Sequence, residues 1–228
     1  METPIRADDV RQLVLTLSGG DVVLSDSGGS HVEGIVDTEA EPRVSHHGTM
    51  LKIQAGRRNA AIRLAVPVGV NVQLRSARAD VVARVPLGNA SVATNSGDVR
   101  LAEVTGSTEV ITDSGDIDVA ATDGAYAQVR SGSGDITLGR NRGRAEVRCA
   151  SGDVTVASNY GQVLVKCGSG NVAMGVPEGV RTWLDLKTWS GSVMVGLPEA
   201  EAPAAEDEHE NASAMLHTAS GDIRVTGV

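Results

Sequence analysis

The chain is 228 residues long, with 27 glycines, no Phe, aromatics at 2% and a formal net charge of −9 at pH 7. That length supports a substantial core, but so few aromatics exclude an ordinary globular sandwich and suit a thin solenoid filled with Val, Ile, Leu, Ala and Thr. The acid excess argues against general attraction to nucleic acid or anionic lipid, and no apolar run reaches the roughly 18 residues of a membrane span.

Residues 1–60 are read as an N-terminal β cap and lead-in. Val14, Leu17, Val22, Leu24 and Val32 suggest short strands, the segment from Val36 to Pro42 a polar connection, and His46-His47-Gly48 a turn before a strand from Met50 to Gln54. Leu15, Leu17, Gly20, Asp21, Val22 and Leu24 match the columns of the repeat that follows, so a first copy of it starts here. A cap is required because the uncovered end of a solenoid exposes unpaired backbone groups and apolar side chains. Met1-Glu2-Thr3-Pro4 lacks the charged start and apolar stretch of a secretion signal. A cytoplasmic chain is therefore expected, with association to a membrane through a partner as the alternative, although a chain trimmed of its signal would read alike.

Residues 61–228 read as the repeat body. Ile62, Leu64 and Val66 alternate with Ala61, Arg63 and Ala65, and Pro67-Val68-Gly69 makes a turn. Then Ser-Gly-Asp-Val/Ile recurs at Ser96–Val99, Ser114–Ile117, Ser133–Ile136, Ser151–Val154 and Ser220–Ile223, with variants at Ser169–Val172 and Ser190–Val193. Gly97, Gly115, Gly134, Gly152 and Gly170 stand 18 or 19 residues apart, with Gly106, Gly124, Gly143 and Gly161 about halfway between them. A fixed period of this length marks a solenoid, in which each unit must stack on a neighbour to bury its apolar side. Five residues before the anchoring Gly come Val92, Val110, Val129, Val147, Val165, Leu186 and Leu216; two after it come Val99, Ile117, Ile136, Val154, Val172, Val193 and Ile223. Polar residues alternate with these columns, the period of a half-buried strand. The predicted fold is all-β: a single-stranded β-solenoid of about eight 18-residue coils, two short strands per coil, behind the N-terminal β cap.

Cys149 and Cys167 lie one period apart in an inward column with Thr94, Thr112 and Ser131, which predicts stacked, reduced core thiols. Gly191 and Gly221 are 30 residues apart, and the excess at 197–213 carries Glu199, Glu201, Glu206, Asp207, Glu208 and Glu210. This composition predicts a mobile acidic loop. Met215 to Val225 resumes the columns and is expected to be the final coil, with an open edge at Arg224 that recruits a strand from the N-terminal segment, a second copy or a partner.

Asp80, Asp98, Asp116, Asp135, Asp153 and Asp222 form a column of carboxylates about 4.8 Å apart, which repel by about 1 kcal/mol per adjacent pair. The expected offset is local hydrogen bonding to backbone N–H groups of the bends. Calcium-binding β-rolls carry more glycines before each Asp than this chain does, so no metal or other cofactor is expected. Arg130, Arg148, Lys166 and Lys187 form a basic column, part of it paired with Glu109, Glu146 and Asp185 two residues earlier. With the outward Trp189 and with Arg224, these four are the candidate partner-binding residues. His31, His46, His47, His209 and His217 fall in polar or outward positions, Ser-Gly-Asp has no strand-to-helix elbow around it, and no catalytic residue is assigned. The scarcity of aromatics to stack on bases also disfavours nucleic acid.

The segment from Arg63 to Leu74, Arg-Leu-Ala-Val-Pro-Val-Gly-Val-Asn-Val-Gln-Leu, followed by repeated Ser-Gly-Asp-Ile/Val phrases, resembles the bacterial β-strand-repeat family called toastrack or "putative adhesin" domains. The resemblance covers nearly the whole chain. It implies a β-solenoid without established catalytic residues, linked with cell-envelope stress systems as a surface or membrane-associated assembly platform. Residues and resemblance together predict a non-catalytic scaffold that binds a protein partner or self-associates. A polysaccharide-binding surface adhesin is the alternative, and a carbohydrate-active β-helix enzyme is the third reading.

Overall fold

At its glycine bends the chain passes so close to the neighbouring coil that a side chain has no room. At Gly115 the backbone takes φ 134°, a conformation glycine adopts at little cost, and a Cβ there would collide with the Gly97 carbonyl one coil away. On the opposite side Gly124 lies against the Gly106 carbonyl in the same manner. Two close approaches per coil therefore set the two glycine series.

A computed structural model describes residues 1–56, 59–197 and 211–228. Of the acidic loop expected over 197–213, residues 198–210 lie outside the described residues. The described chain begins with β1 (Glu2–Ala7), β2 (Gln12–Asp26), β3 (Val32–Asp37), β4 (Arg43–His47), β5 (Met50–Gln54), β6 (Asn59–Val66) and β7 (Asn71–Ala83). Strand pairs follow as successive coils: β8 (Ala90–Ser96) with β9 (Val99–Leu101), β10 (Thr108–Ser114) with β11 (Ile117–Thr122), and β12 (Tyr126–Ser133) with β13 (Ile136–Asn141). Next come β14 (Arg144–Ser151) with β15 (Val154–Asn159), β16 (Gln162–Ser169) with β17 (Val172–Val176), β18 (Arg181–Ser190) with β19 (Val193–Gly196), and β20 (Asn211–Ser220) with β21 (Ile223–Gly227).

The coils pair in parallel, like on like. Val92, Val110, Val129, Val147, Val165 and Leu216 lie one above another in register, each 0 or 1% exposed. The second layer stacks Val81, Val99, Ile117, Ile136, Val154, Val172 and Ile223 in the same way. Each such side chain contributes about 1.5–3 kcal/mol on burial, and the core is a filament of aliphatic columns. β2 is itself a coil in this stack. It matches β7 at Leu15–Leu74, Asp21–Asp80 and Val22–Val81, and its other side meets β5 and β6. Antiparallel strands close this end: β3 on β6, β1 on β3, and β4 on β5.

At the other end the order in space departs from the order in sequence. β20 pairs with β16 on one side and with β18 on the other, and β21 lies likewise between β17 and β19. Residues 211–228 thus slot between two coils that precede them, and the outermost coil is β18/β19. The expectation that Met215–Val225 ends the stack with an open edge is corrected accordingly. All coils share the same columns, so any coil fits on any other, and the long connection after β19 allows the chain to double back.

Hydrogen-bonded ladders run along the axis. Oδ1 of Asp80, Asp98, Asp116, Asp135 and Asp153 each accepts the backbone N–H of the corresponding residue one coil further on, at 2.8–3.1 Å. Asn171 and Asp222 continue the ladder to Ser192. Carboxylate repulsion is thus offset between coils, not within each bend as the residue pattern suggested. Inside the layers, the hydroxyls of Thr94, Thr112 and Thr218 donate to carbonyls of the bends, and Cys149 and Cys167 take the same position with weaker sulfur contacts. Beside the other bend, Asn141 and Asn159 are fully buried. Asn141 Nδ2 donates to Asn159 Oδ1 at 2.8 Å, and Asn159 Nδ2 donates to the carbonyls of Gly161 and Ser213.

Two outcomes follow. Asn159→Leu strands buried donors and acceptors and is expected to cost about 3 kcal/mol, read from the urea midpoint; a loss below about 1 kcal/mol contradicts this account. The Asp222 carboxyl is held below its ordinary 3.8 by the Ser192 N–H and then by the Ser192 hydroxyl. A depressed folded pKa gives stability that is present above the unfolded value and lost as pH falls through the folded one. Asp222→Asn keeps the acceptor, as Asn171 does, and should flatten the decline in Tm below about pH 4 while leaving neutral-pH Tm near the parent. Asp222→Ala should lower Tm at neutral pH.

Candidate functional site

On the outward side of the first layer, Arg130, Arg148 and Lys166 lie in register on adjacent coils. The slotted coil then places His217 between Lys166 and Lys187. Much of this charge is matched nearby. Arg148 pairs with Glu146, whose carboxyl it holds below the ordinary range against a smaller opposing effect of burial. Lys187 Nζ lies 3.0 Å and His217 Nε2 3.4 Å from Asp185 Oδ2. Glu109, expected to pair with the basic column, accepts from the Ser91 hydroxyl at 3.2 Å. Near the end of β13, Arg140 grips Asp123 with two bonds of 3.2 and 2.8 Å, and just beyond the strand Arg142 lies 6.0 Å from the Tyr160 ring centre. Exposed pairs of this kind contribute little stability, but they break up any continuous cationic strip.

The end of the stack differs from both faces. β18 and β19 are each paired on one side only among the described residues. The inward columns, closed everywhere along the stack, open here: Val193 is 45% and Val195 49% exposed, and Leu184 and Leu186 are only partly buried. Trp183, Trp189 and Met194 stand out at 61, 93 and 60% exposure. This is the largest concentration of exposed apolar side chains among the described residues. Two of the sequence-derived candidates, Lys187 and Trp189, belong to it.

Arg130, Arg148 and Lys166 lie on the flank of the stack, some coils away. Arg224 is corrected: it sits on β21 between Ala173 and Met194, on a strand paired on both sides and in the other layer from the basic column. Its late place in the chain suggests an edge, whereas its strand has a partner on either side. Val193, Met194 and Val195 went unrecognised, and the 30-residue gap before Gly221 was the available signal.

The two thiols are free, buried and stacked in register, and burial pushes Cys149 up to about 11, with the neighbouring Cys167 adding to it. Such thiols are poor nucleophiles. Among the described residues no group of three or more His, Cys, Asp or Glu is arranged to hold a metal ion, and no helix is long and apolar enough to cross a membrane.

No curated protein matches the chain. Among solved structures, a putative adhesin from Bacteroides fragilis aligns over 98% of this chain and 97% of its own, with TM-score 0.50 and 10% identity. A putative adhesin from Parabacteroides distasonis aligns over 98% and 96% with TM-score 0.46 and 14% identity, and one from Parabacteroides merdae over 97% and 95% with TM-score 0.40 and 11% identity. At such identities the likeness concerns the fold alone. The profile of the Toastrack DUF4097 family matches residues 10–226, through the coils and the bends that carry the repeat, and the chain belongs to that family.

Proposed function

We propose that the protein is a non-catalytic β-solenoid scaffold that associates with a second copy through its β18/β19 end. The observation that carries this reading is the contrast along single columns. Val172 and Ile223 are fully buried, while Val193, next in line above them, is half exposed. One more coil would continue both layers, and the same end of another copy supplies the same columns. A closed pair also leaves no edge to propagate. Among the described residues, the opposite end is covered by antiparallel strands that do not repeat the columns.

A second reading, a saccharide-binding surface, is favoured by one feature of the first layer. A shallow groove of about 490 Å³ crosses several coils there and is lined by Gln12, Gln73, Ser107, Glu109 and Tyr126 among others, with no cationic side chain. Amides, hydroxyls and one tyrosine face suit a neutral polyhydroxyl chain better than an anion.

Each reading has its measurement. Ile223 N–H bonds the Ser192 carbonyl, so strand alternation turns the N–H groups of Val193 and Val195 outward. Val195→Pro therefore removes a donor facing the open side and none inside the stack. Light scattering should show a dimer for the parent and a monomer of nearly unchanged Tm for the variant; a parent that stays monomeric at its highest soluble concentration overturns the proposal. For the groove, Tyr126→Ala should abolish retardation in gels containing neutral polysaccharide, and equal mobility of the parent with and without polysaccharide rejects that reading.

A further inference from the structure

We infer that β18 pairs antiparallel with β18 of the second copy, in the register that sets Leu186 against Leu186; this rests on the self-associating end proposed above. The strand reads Thr182-Trp183-Leu184-Asp185-Leu186-Lys187-Thr188-Trp189-Ser190. It is complementary to itself about Leu186. Reversed onto a copy of itself, Asp185 faces Lys187, Trp183 faces Trp189, Leu184 faces Thr188, and Thr182 faces Ser190. The Asp185–Lys187 contact and the Trp183–Trp189 contact each occur twice by symmetry.

The backbone agrees with this register. Ser213 N–H bonds the Gly161 carbonyl on the β16 side, so Ala214, Leu216 and Thr218 turn their backbone groups toward β18. By the same alternation Leu184, Leu186 and Thr188 turn theirs to the open side. The Leu186 pair and the Leu184–Thr188 pairs are then hydrogen-bonded positions. Asp185–Lys187 and Trp183–Trp189 fall at the positions between them, where opposed side chains approach most closely. All four of these side chains project outward, on the side of β18 that carries the exposed Trp183 and Trp189. The inward Leu184 and Leu186 meanwhile extend the aliphatic columns across the junction.

The second layer fits the same twofold axis. Leu186 and Val195 each lie four residues from the bend at Ser190-Gly191, so an axis through Leu186 passes near Val195 in the facing layer. The outward-turned N–H of Val195 then donates to the Val195 carbonyl of the second copy, and receives the same bond in return. Within one copy Asp185 already bonds Lys187 at 3.0 Å, so the charges are held in place before the copies meet.

Charge reversal tests the register. Asp185→Lys leaves two lysines on the strand and Lys187→Asp leaves two aspartates, and either change should weaken self-association about tenfold or more. The double variant Asp185→Lys/Lys187→Asp restores both contacts and should dimerise like the parent. Mixing the two single variants should give a heterodimer from two monomers, an outcome that repair within one copy cannot produce. Trp183 and Trp189 are the only tryptophans, so a blue shift of emission on mixing reports this edge alone. If the parent dimerises but the single variants do so equally well, the register is wrong and the scaffold reading stands. If the parent never dimerises, both fail.

Discussion

Every coil of this protein bonds to its neighbours across a spacing of about 4.8 Å, and that repeat distance governs the rest. Residues one period apart are brought into van der Waals contact, so each position must tolerate its own kind directly above and below. Aliphatic side chains do so at a profit, which fills the inward columns with Val, Ile and Leu. Carboxylates do so only because each reaches the N–H of the next coil, as Asp98 does with Asp116. At Gly115 and Gly124 not even a methyl group is tolerated, because a carbonyl of the neighbouring coil already fills the space.

The same distance explains why the two ends are unlike. At one end, antiparallel β3 and β4 reverse the chain direction and disrupt the column register, so further coils cannot add in phase. At the other, β18/β19 keeps the phase intact and leaves it unfulfilled at Val193 and Val195. The unfulfilled apolar columns thus stand at one terminus, while on the flank several basic side chains, Arg140, Arg148 and Lys187 among them, lie against carboxylates.

Much of this was legible in the residue pattern. The columns, the two bends per coil, the buried Cys149–Cys167 pair and the early copy at Leu15 to Leu24 all follow from period and alternation, which are local properties. The order of the last two coils does not follow, because coils with equivalent columns stack interchangeably and only the extra length before Gly221 hinted at a return. The Asp ladder was recognised as hydrogen-bond chemistry, but its donors lie a full period away, where a bend and a neighbouring coil look alike. Asn141 and Asn159 were missed for a related reason: an asparagine two residues before a glycine reads as part of a surface turn, and only the stacking shows that it is sealed inside.

Residues 211–228 occupy a berth between coils made before and after them in space but wholly before them in sequence. A nascent chain leaving the ribosome therefore cannot seat residues 181–196 in their final place until this later stretch has emerged. The outermost coil of the finished stack is therefore the one whose seating waits longest on synthesis.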